Sequence, residues 1–245
     1  MQPRFERHVA VAGTFNIRDL GGYASGEGQT RWRRLLRADG LHRLDTAGMA
    51  TLTGEGVRTV IDLRRDHELE SHPNPFRDNP DVAYHNISLF DALDPATMTG
   101  GDLLLDLYLA ALTTRHGAIA QVLTLIADAP EGIVLFHCTA GKDRTGLIAA
   151  LMLALAGVEA AVIVEDYALT GPMIAPLLET FVADAAARGT DIESFRPLLA
   201  CERQTMVAML AFLIDNHGSV EAYLISIGLE PDTIDRLRAR LTREA

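Results

Sequence analysis

The apolar and polar positions of this chain change period many times, and each change marks an element. Val57-Arg58-Thr59-Val60-Ile61-Asp62-Leu63-Arg64 is β-branched and apolar until its end, which predicts a buried strand closing on polar groups. Val82 to Leu89 alternates as a strand does, and Ile133 to Phe136 is a short apolar run that predicts another buried strand. A hairpin with a strand at 33–37 is expected after the polar, Gly-rich stretch that begins at residue 24. Helical spacing runs from Leu41 to Glu55, where Gly56 stops it, and again over Leu103 to Leu112 and Ala118 to Ala129, divided near His116-Gly117. Leu147 to Ala156 and Val158 to Leu169 predict two further helices separated by Gly157. A helical region then runs from Gly171-Pro172 to Arg188, followed by a loop over Gly189 to Pro197. Cys201 to Asn216 predicts a helix with Met206, Met209, Leu210 and Leu213 on its core face. Two short helices close the chain, the first with Ser219 as a cap. Residues 1–12 form a poorly specified lead-in. Strands that alternate with helices imply an α/β fold with a mostly parallel central sheet flanked by helices. No linker or repeat divides the chain, so one domain over 1–245 is expected.

Composition narrows the function. The 245 residues are 48% hydrophobic and 22% charged, ample for a packed core. The net charge of −11 argues against a nucleic-acid partner, which asks for a basic face, but not against a locally positive pocket. No apolar run in the sequence reaches the roughly 18 residues of a membrane span, so no integral membrane segment is expected. The start lacks a long apolar segment of the signal-peptide kind. A cytoplasmic protein is expected, or one exported without a visible signal peptide. Two cysteines, Cys138 and Cys201, are too few for a disulfide framework and suit a reducing compartment.

The densest chemistry lies between the strand at Ile133–Phe136 and the helix after it, in His137-Cys138-Thr139-Ala140-Gly141-Lys142-Asp143-Arg144-Thr145-Gly146. Strand, tight loop and helix N-terminus together aim backbone N–H groups and the positive helix end at one place, which binds phosphate. The same field should depress the Cys138 thiol toward its nucleophilic thiolate. Six residues later, Arg144 offers a planar fork for two phosphate oxygens that lysine lacks. Gly141 and Gly146 allow close approach of backbone. A nucleophile and an oxyanion clamp in one loop describe phosphoryl transfer through a phosphocysteine.

Cys, five residues, Arg and Thr resemble the signature loop of the protein tyrosine phosphatase superfamily. The fuller string from His137 to Gly146 resembles the atypical bacterial group related to the mycobacterial tyrosine and phosphoinositide phosphatase. Asn16-Ile17-Arg18-Asp19-Leu20-Gly21-Gly22 is similar to that group's N-terminal motif, and Val60-Ile61-Asp62-Leu63-Arg64 to its strand, so the resemblance runs from Phe15 to Leu241. It implies a tyrosine phosphatase-like fold and a hydrolase acting on phosphotyrosine proteins, with phosphoserine, phosphothreonine and phosphoinositides as further substrates. It implies Cys138 as nucleophile, Arg144 as transition-state clamp and Asp143 as general acid, with Asp91 or Asp94, on a candidate lid over 90–101, as the runner-up acid. Thr139, Ala140, Gly141, Lys142, Thr145 and Gly146 would hold phosphate, with Lys142 adding charge at the rim and Thr145 bonding the thiolate. His137 is expected to fix the loop by hydrogen bonding. No cofactor or metal is called for, because backbone amides and Arg144 do a cation's work.

Several positions carry two readings. Arg18 or Asp19 lines the pocket or forms a structural salt bridge, and Asp62 orients loop residues or simply pairs with Arg64. The arginines of 31–37 read as a solvated face. Cys201 reads as a packed thiol, with a resolving partner for Cys138 as the sharper alternative. His67 and His72, with Glu68, miss the spacing that a zinc-binding helix needs. Phe136 stands where a nucleotide-binding loop needs its first glycine. A sulfurtransferase lacks the Arg144-Thr145-Gly146 ending. The rival from another class is a catalytically silent module that recognises phosphate without turnover.

Overall fold

The computed structural model describes residues 5–26, 28–90 and 102–242. Its centre is a five-stranded sheet built from β1 (Arg18–Asp19), β4 (Leu35–Ala38), β5 (Val57–Asp62), β6 (Ala83–Asn86) and β7 (Ile133–His137), in the order β1-β4-β7-β5-β6. β7 pairs parallel with both β4 and β5, β5 pairs parallel with β6, and only β1 runs antiparallel. β2 (Ala24–Ser25) and β3 (Gly28–Gln29) form a separate small hairpin. The sheet is thus mostly parallel and covered by helices, as expected of strands linked through helical crossovers.

Alternate residues of β7 feed opposite faces. Val134 and Phe136 enter the larger apolar core and Ile133 and Leu135 the smaller one. The smaller core lies under α1 (Thr46–Glu55), which Asp45 starts by accepting from the Gly48 amide and Gly56 ends at φ +105°. α2 (Asp66–Ser71) follows β5 directly. The larger core is covered by α3 (Leu103–Thr114), α4 (His116–Asp128), α5 (Asp143–Leu155), α6 (Ala160–Ala168), α10 (Arg203–His217), α11 (Val220–Ser226) and α12 (Pro231–Thr242). α5 is buried on nearly every side, so its apolar content follows from its place against the central strand.

After α6 the chain stays helical through α7 (Thr170–Ile174), a 3₁₀ turn and α8 (Leu178–Ala187), then makes α9 (Ile192–Phe195) and a second 3₁₀ turn, Arg196–Leu199. The run Ala160–Ala187 has, by length and composition only, the makings of a membrane span, with mean hydropathy 1.3 over its most apolar stretch. Of that stretch 44% is buried within the protein. The loop expected over 189–197 is partly helical because Asp191 caps α9 by accepting from the Ser194 amide. Cys201 lies before α10 rather than on it. The carbonyls of Leu198 and Ala200 are taken by the Lys142 ammonium and hold that stretch away from a helical course.

Candidate active site

Parallel register brings the ends of β5 and β7 level, with Asp62 opposite His137, at the carboxyl edge where an α/β sheet opens its crevice. The loop from His137 to α5 is tied outward by its carbonyls. That of Cys138 faces Nδ1 of His137 at 3.0 Å, and that of Thr139 accepts from the Gly40 amide at 2.9 Å. That of Ala140 accepts from Asn16 Nδ2 at 3.0 Å, and that of Gly141 from Arg37 Nη2 at 2.8 Å. A trans peptide carries its N–H opposite its C=O. Four carbonyls fixed on the scaffold therefore turn the N–H groups of residues 139–142 toward the open side of the loop, an anion-binding nest. Gly141 is required here. Its φ is +67°, and a Cβ would stand 2.5 Å from the Ala38 carbonyl oxygen.

Cys138 is 1% exposed and lies at the base of a cleft of about 380 Å³. Apolar side chains, among them Phe90, Leu104, Phe181 and Phe195, form its walls. Arg144, in the first turn of α5, faces Glu68 of α2 through two bonds, Nη1 to Oε2 at 2.5 Å and Nη2 to Oε1 at 2.9 Å. Glu68 also accepts from the Thr139 hydroxyl and, at 3.0 Å, from the Arg65 amide. Burial alone would raise the Glu68 carboxyl, but Arg144 and these donors overcome it and hold it at about 2. Burial likewise works against the Arg144 charge, and the Glu68 carboxylate reverses this and pushes Arg144 above its ordinary value. His42 and His72 also line the cleft, with ring centroids 4.4 Å apart and planes tilted by 45°. Burial, reinforced by Arg43 and His72, pushes His42 down to about 3 and keeps it neutral.

Asp143 starts α5. Its Oδ1 accepts from the Tyr108 hydroxyl at 2.8 Å and lies 3.2 Å from Lys142 Nζ. Behind the loop, Asp166 of α6 is a buried carboxylate that accepts from Arg18 and Arg37 and, at 2.8 Å, from Tyr23. Burial would raise it, but the two guanidiniums hold it far below the carboxylate range. Arg37 thus binds Asp166 with one hand and the Gly141 carbonyl with the other.

Comparison with known proteins follows the same boundaries. The profile described as "Tyrosine phosphatase family" matches residues 9–243. The chain belongs to the tyrosine phosphatase family. A "Tyrosine-protein phosphatase" of Nostoc commune is 36% identical over 84% of this chain and 73% of its own. The "Triple specificity protein phosphatase PtpB" of Mycobacterium tuberculosis is 29% identical over 94% of this chain and 98% of its own. Among solved structures, TpbA of P. aeruginosa is 20% identical over 72% of this chain and 86% of its own, at a TM-score of 0.36, too loose to inform the site. The protein is a phosphatase of the protein tyrosine type.

In this phosphatase the expected loop residues converge, and one of them, Lys142, changes its role. Lys142 is not at the rim. It is 1% exposed, and its ammonium reaches the Leu198 carbonyl and, at 2.7 Å, the Ala200 carbonyl. The reason is that the chain before α10 passes directly beside the loop and offers two carbonyls to the ammonium. Arg18 is fully buried and takes the salt-bridge reading, with Asp166 and Thr170 as partners, away from the cleft. Asp19 is also structural, accepting from the Gly21 and Arg33 amides. Of the arginines in 31–37, Arg37 is 1% exposed and not on a solvated face, because Asp166 draws it inward.

Asp62 meets both of its readings. It grips Arg64 through Nε at 2.9 Å and Nη2 at 2.7 Å, and it accepts from Asn74, which also contacts His137 Nε2 at 2.8 Å. Asp62 therefore orients His137, and His137 fixes the loop through the Cys138 carbonyl. The Thr145 hydroxyl is buried and has no hydrogen-bond partner among the described residues. Burial pushes the Cys201 thiol up to about 11, so at neutral pH it is the packed thiol and not a thiolate. Asp91, Asp94 and most of the candidate lid lie outside the described residues. Among the described residues, no three His, Cys, Asp or Glu side chains are grouped to hold a metal ion.

Glu68, Asn16, Arg37, Tyr108 and Asp166 are the site residues that sequence reasoning did not place. Glu68 stands three residues after Arg65 and accepts from its amide at 3.0 Å, which aims the carboxylate back at the strand end, but an arginine side chain cannot accept as a cap, so the chain carried no capping-box signal for it.

Proposed function

We propose that the phosphatase cleaves phosphate monoesters in two steps through a phosphocysteine on Cys138, with phosphotyrosine in proteins as its leading substrate. The observation that carries this reading is the loop above Cys138. Its carbonyls are tied outward, its amides face the cleft, and Arg144 is held beside it by Glu68. In the first step the Cys138 sulfur attacks phosphorus. The S–P bond forms, the ester P–O bond breaks, and Asp143 gives its proton to the departing oxygen. In the second step water attacks phosphorus, Asp143 takes the water proton, and the sulfur leaves as thiolate. The Thr145 hydroxyl, without a partner among the described residues, is available to stabilise that thiolate as it leaves. Loop amides of residues 139–142 and the Arg144 fork hold the equatorial oxygens in both steps.

A buried cysteine below apolar, partly aromatic walls suits a phenyl ring carried on phosphate, which supports phosphotyrosine. Phosphoserine, phosphothreonine and phosphoinositides enter the reading through the family resemblance of the signature loop, and one relative is called a triple specificity phosphatase. Lys142, turned away from the rim, adds no charge there for an inositol ring.

The test is phosphate release from a phosphotyrosine peptide, a phosphoserine peptide and phosphatidylinositol 3-phosphate. Cys138→Ser should be inactive on all three. Arg144→Lys should lose about 10²–10³-fold, because a point charge cannot replace an oriented fork. Asp143→Asn should lose about 10²-fold or more on the peptides. Turnover by Cys138→Ser would sink the phosphocysteine, and full activity of Asp143→Asn would move the acid elsewhere.

A further inference from the structure

Two tyrosines stand behind the proposed acid, and neither touches the cleft surface. Tyr108 of α3 is fully buried, and its hydroxyl donates to Asp143 Oδ1 at 2.8 Å. Tyr167 of α6 is 1% exposed, and its hydroxyl lies 2.9 Å from that of Tyr108. A phenol has a single hydrogen, and that of Tyr108 is used on Asp143. Tyr167 must therefore donate to Tyr108, and the chain of bonds runs Tyr167 to Tyr108 to Asp143. The ring planes cross at 87°, which lets the two hydroxyls meet edge to face. Tyr167 reaches this position because Gly146 has no side chain. A Cβ there would lie 3.1 Å from Tyr167 Cδ2.

We propose that Tyr108, backed by Tyr167, is a positioning residue that assigns the two oxygens of Asp143 their separate tasks. This rests on the reading of Asp143 as general acid. Oδ1 accepts from the Tyr108 hydroxyl and lies 3.2 Å from the Lys142 ammonium, so a proton on that oxygen would meet both the hydroxyl hydrogen and the cation. The catalytic proton therefore sits on Oδ2. With Oδ1 pinned, Oδ2 is turned toward the departing ester oxygen, so that the proton passes to it as the ester P–O bond breaks. Burial, followed by the Asp143 charge, raises the Tyr108 hydroxyl well above its ordinary value, so it remains a donor at every working pH.

Asp143 faces charged and titratable groups on several sides. Lys142 and Arg144 flank it on the loop, Tyr108 comes from α3, Tyr167 from α6 and Cys201 from the stretch before α10. Glu68 of α2, Asp184 of α8 and Arg188 just after it line the same cleft. Among these, the Tyr108 hydroxyl and the Lys142 ammonium touch the Asp143 carboxyl directly.

The experiment compares two aryl phosphates in each protein, phenyl phosphate with a basic leaving group and one whose phenol is far more acidic. The readout is kcat/KM, which reports the step in which the ester bond breaks. An acid is needed for the first substrate and hardly for the second, so the ratio cancels any loss of folded enzyme. For Tyr108→Phe, kcat/KM on phenyl phosphate should fall about tenfold and on the acidic phenol less than about twofold. Tyr167→Phe should give the same pattern more weakly. The double variant leaves no orphaned hydroxyl and should resemble Tyr108→Phe in the ratio while folding as wild type does. Equal losses on both substrates would overturn the proposal. Asp143→Asn separates the two ideas. If it discriminates between the substrates and Tyr108→Phe does not, the positioning role fails alone. If Asp143→Asn does not discriminate, the acid assignment fails and the tyrosine role with it.

Discussion

Replacing Asp166 by Asn should unfold this phosphatase early and weaken what remains. The carboxylate is buried with both of its arginine partners, Arg18 and Arg37, which are themselves 0% and 1% exposed. Asn has the same shape but no charge, and its amide nitrogen would point a donor at a guanidinium. Two buried cations would be left without a counter-charge, and burial already pushes Arg18 down to about 10 with Asp166 in place. Removing one partner of a buried pair costs about 3–5 kcal/mol, which in a chain of this size lowers the melting temperature by roughly 6–20 °C. Activity should fall further than the folded fraction does, because Arg37 is also what holds the Gly141 carbonyl at 2.8 Å. A loss of about tenfold in kcat/KM at a temperature where the variant is folded corresponds to about 1.4 kcal/mol of transition-state stabilisation. Calorimetric melts and aryl phosphate kinetics on the same samples measure both. The triple variant Arg18→Met, Arg37→Met, Asp166→Leu is the control. It buries no charge and should recover most of the melting temperature, while activity stays low because Gly141 has lost its donor. If Asp166→Asn melts within about 2 °C of wild type, the reasoning is wrong. It is also wrong if the triple variant melts lower than the single one.

Glu68 predicts a pH dependence. Its folded value of about 2 lies below the ordinary 4.5, so its stabilising effect is complete above about 4.5 and is lost as pH falls through about 2. The stability difference between wild type and Glu68→Gln should be at most about 3 kcal/mol at neutral pH and close across that window, read from melts at each pH. A gap that does not change with pH would refute the pairing with Arg144. Gly146→Ala should cost about 1–3 kcal/mol, since its methyl would press on Tyr167, and a melt at or above that of wild type would contradict the packing. Lys142→Met should cost roughly 1–3 kcal/mol by leaving the Leu198 and Ala200 carbonyls unpaired. Faster amide exchange over 198–203 would confirm this, and unchanged exchange would count against it.

The strand at Ile133, the loop after it and the helix that follows are legible in the chain because their causes are local. An apolar run of strand length, a glycine able to hold positive φ and a long apolar helix all act within a few residues. The convergence of Cys138 and Arg144 is local for the same reason. Asp166 reads in sequence as an ordinary acid on an amphipathic helix, and its partner Arg37 as one arginine of a basic stretch. They lie 129 positions apart, and folding alone brings them together. Glu68 and Arg144 are separated by 76 positions and Tyr108 and Asp143 by 35. Lys142 shows the converse. Its presence in the loop is evident from the chain, yet the direction of its ammonium depends on where the stretch before α10 passes. Burying an ionised side chain is tolerable only with a partner. The charges that orient this loop are buried, and their partners come from strands and helices that only the sheet order places beside it.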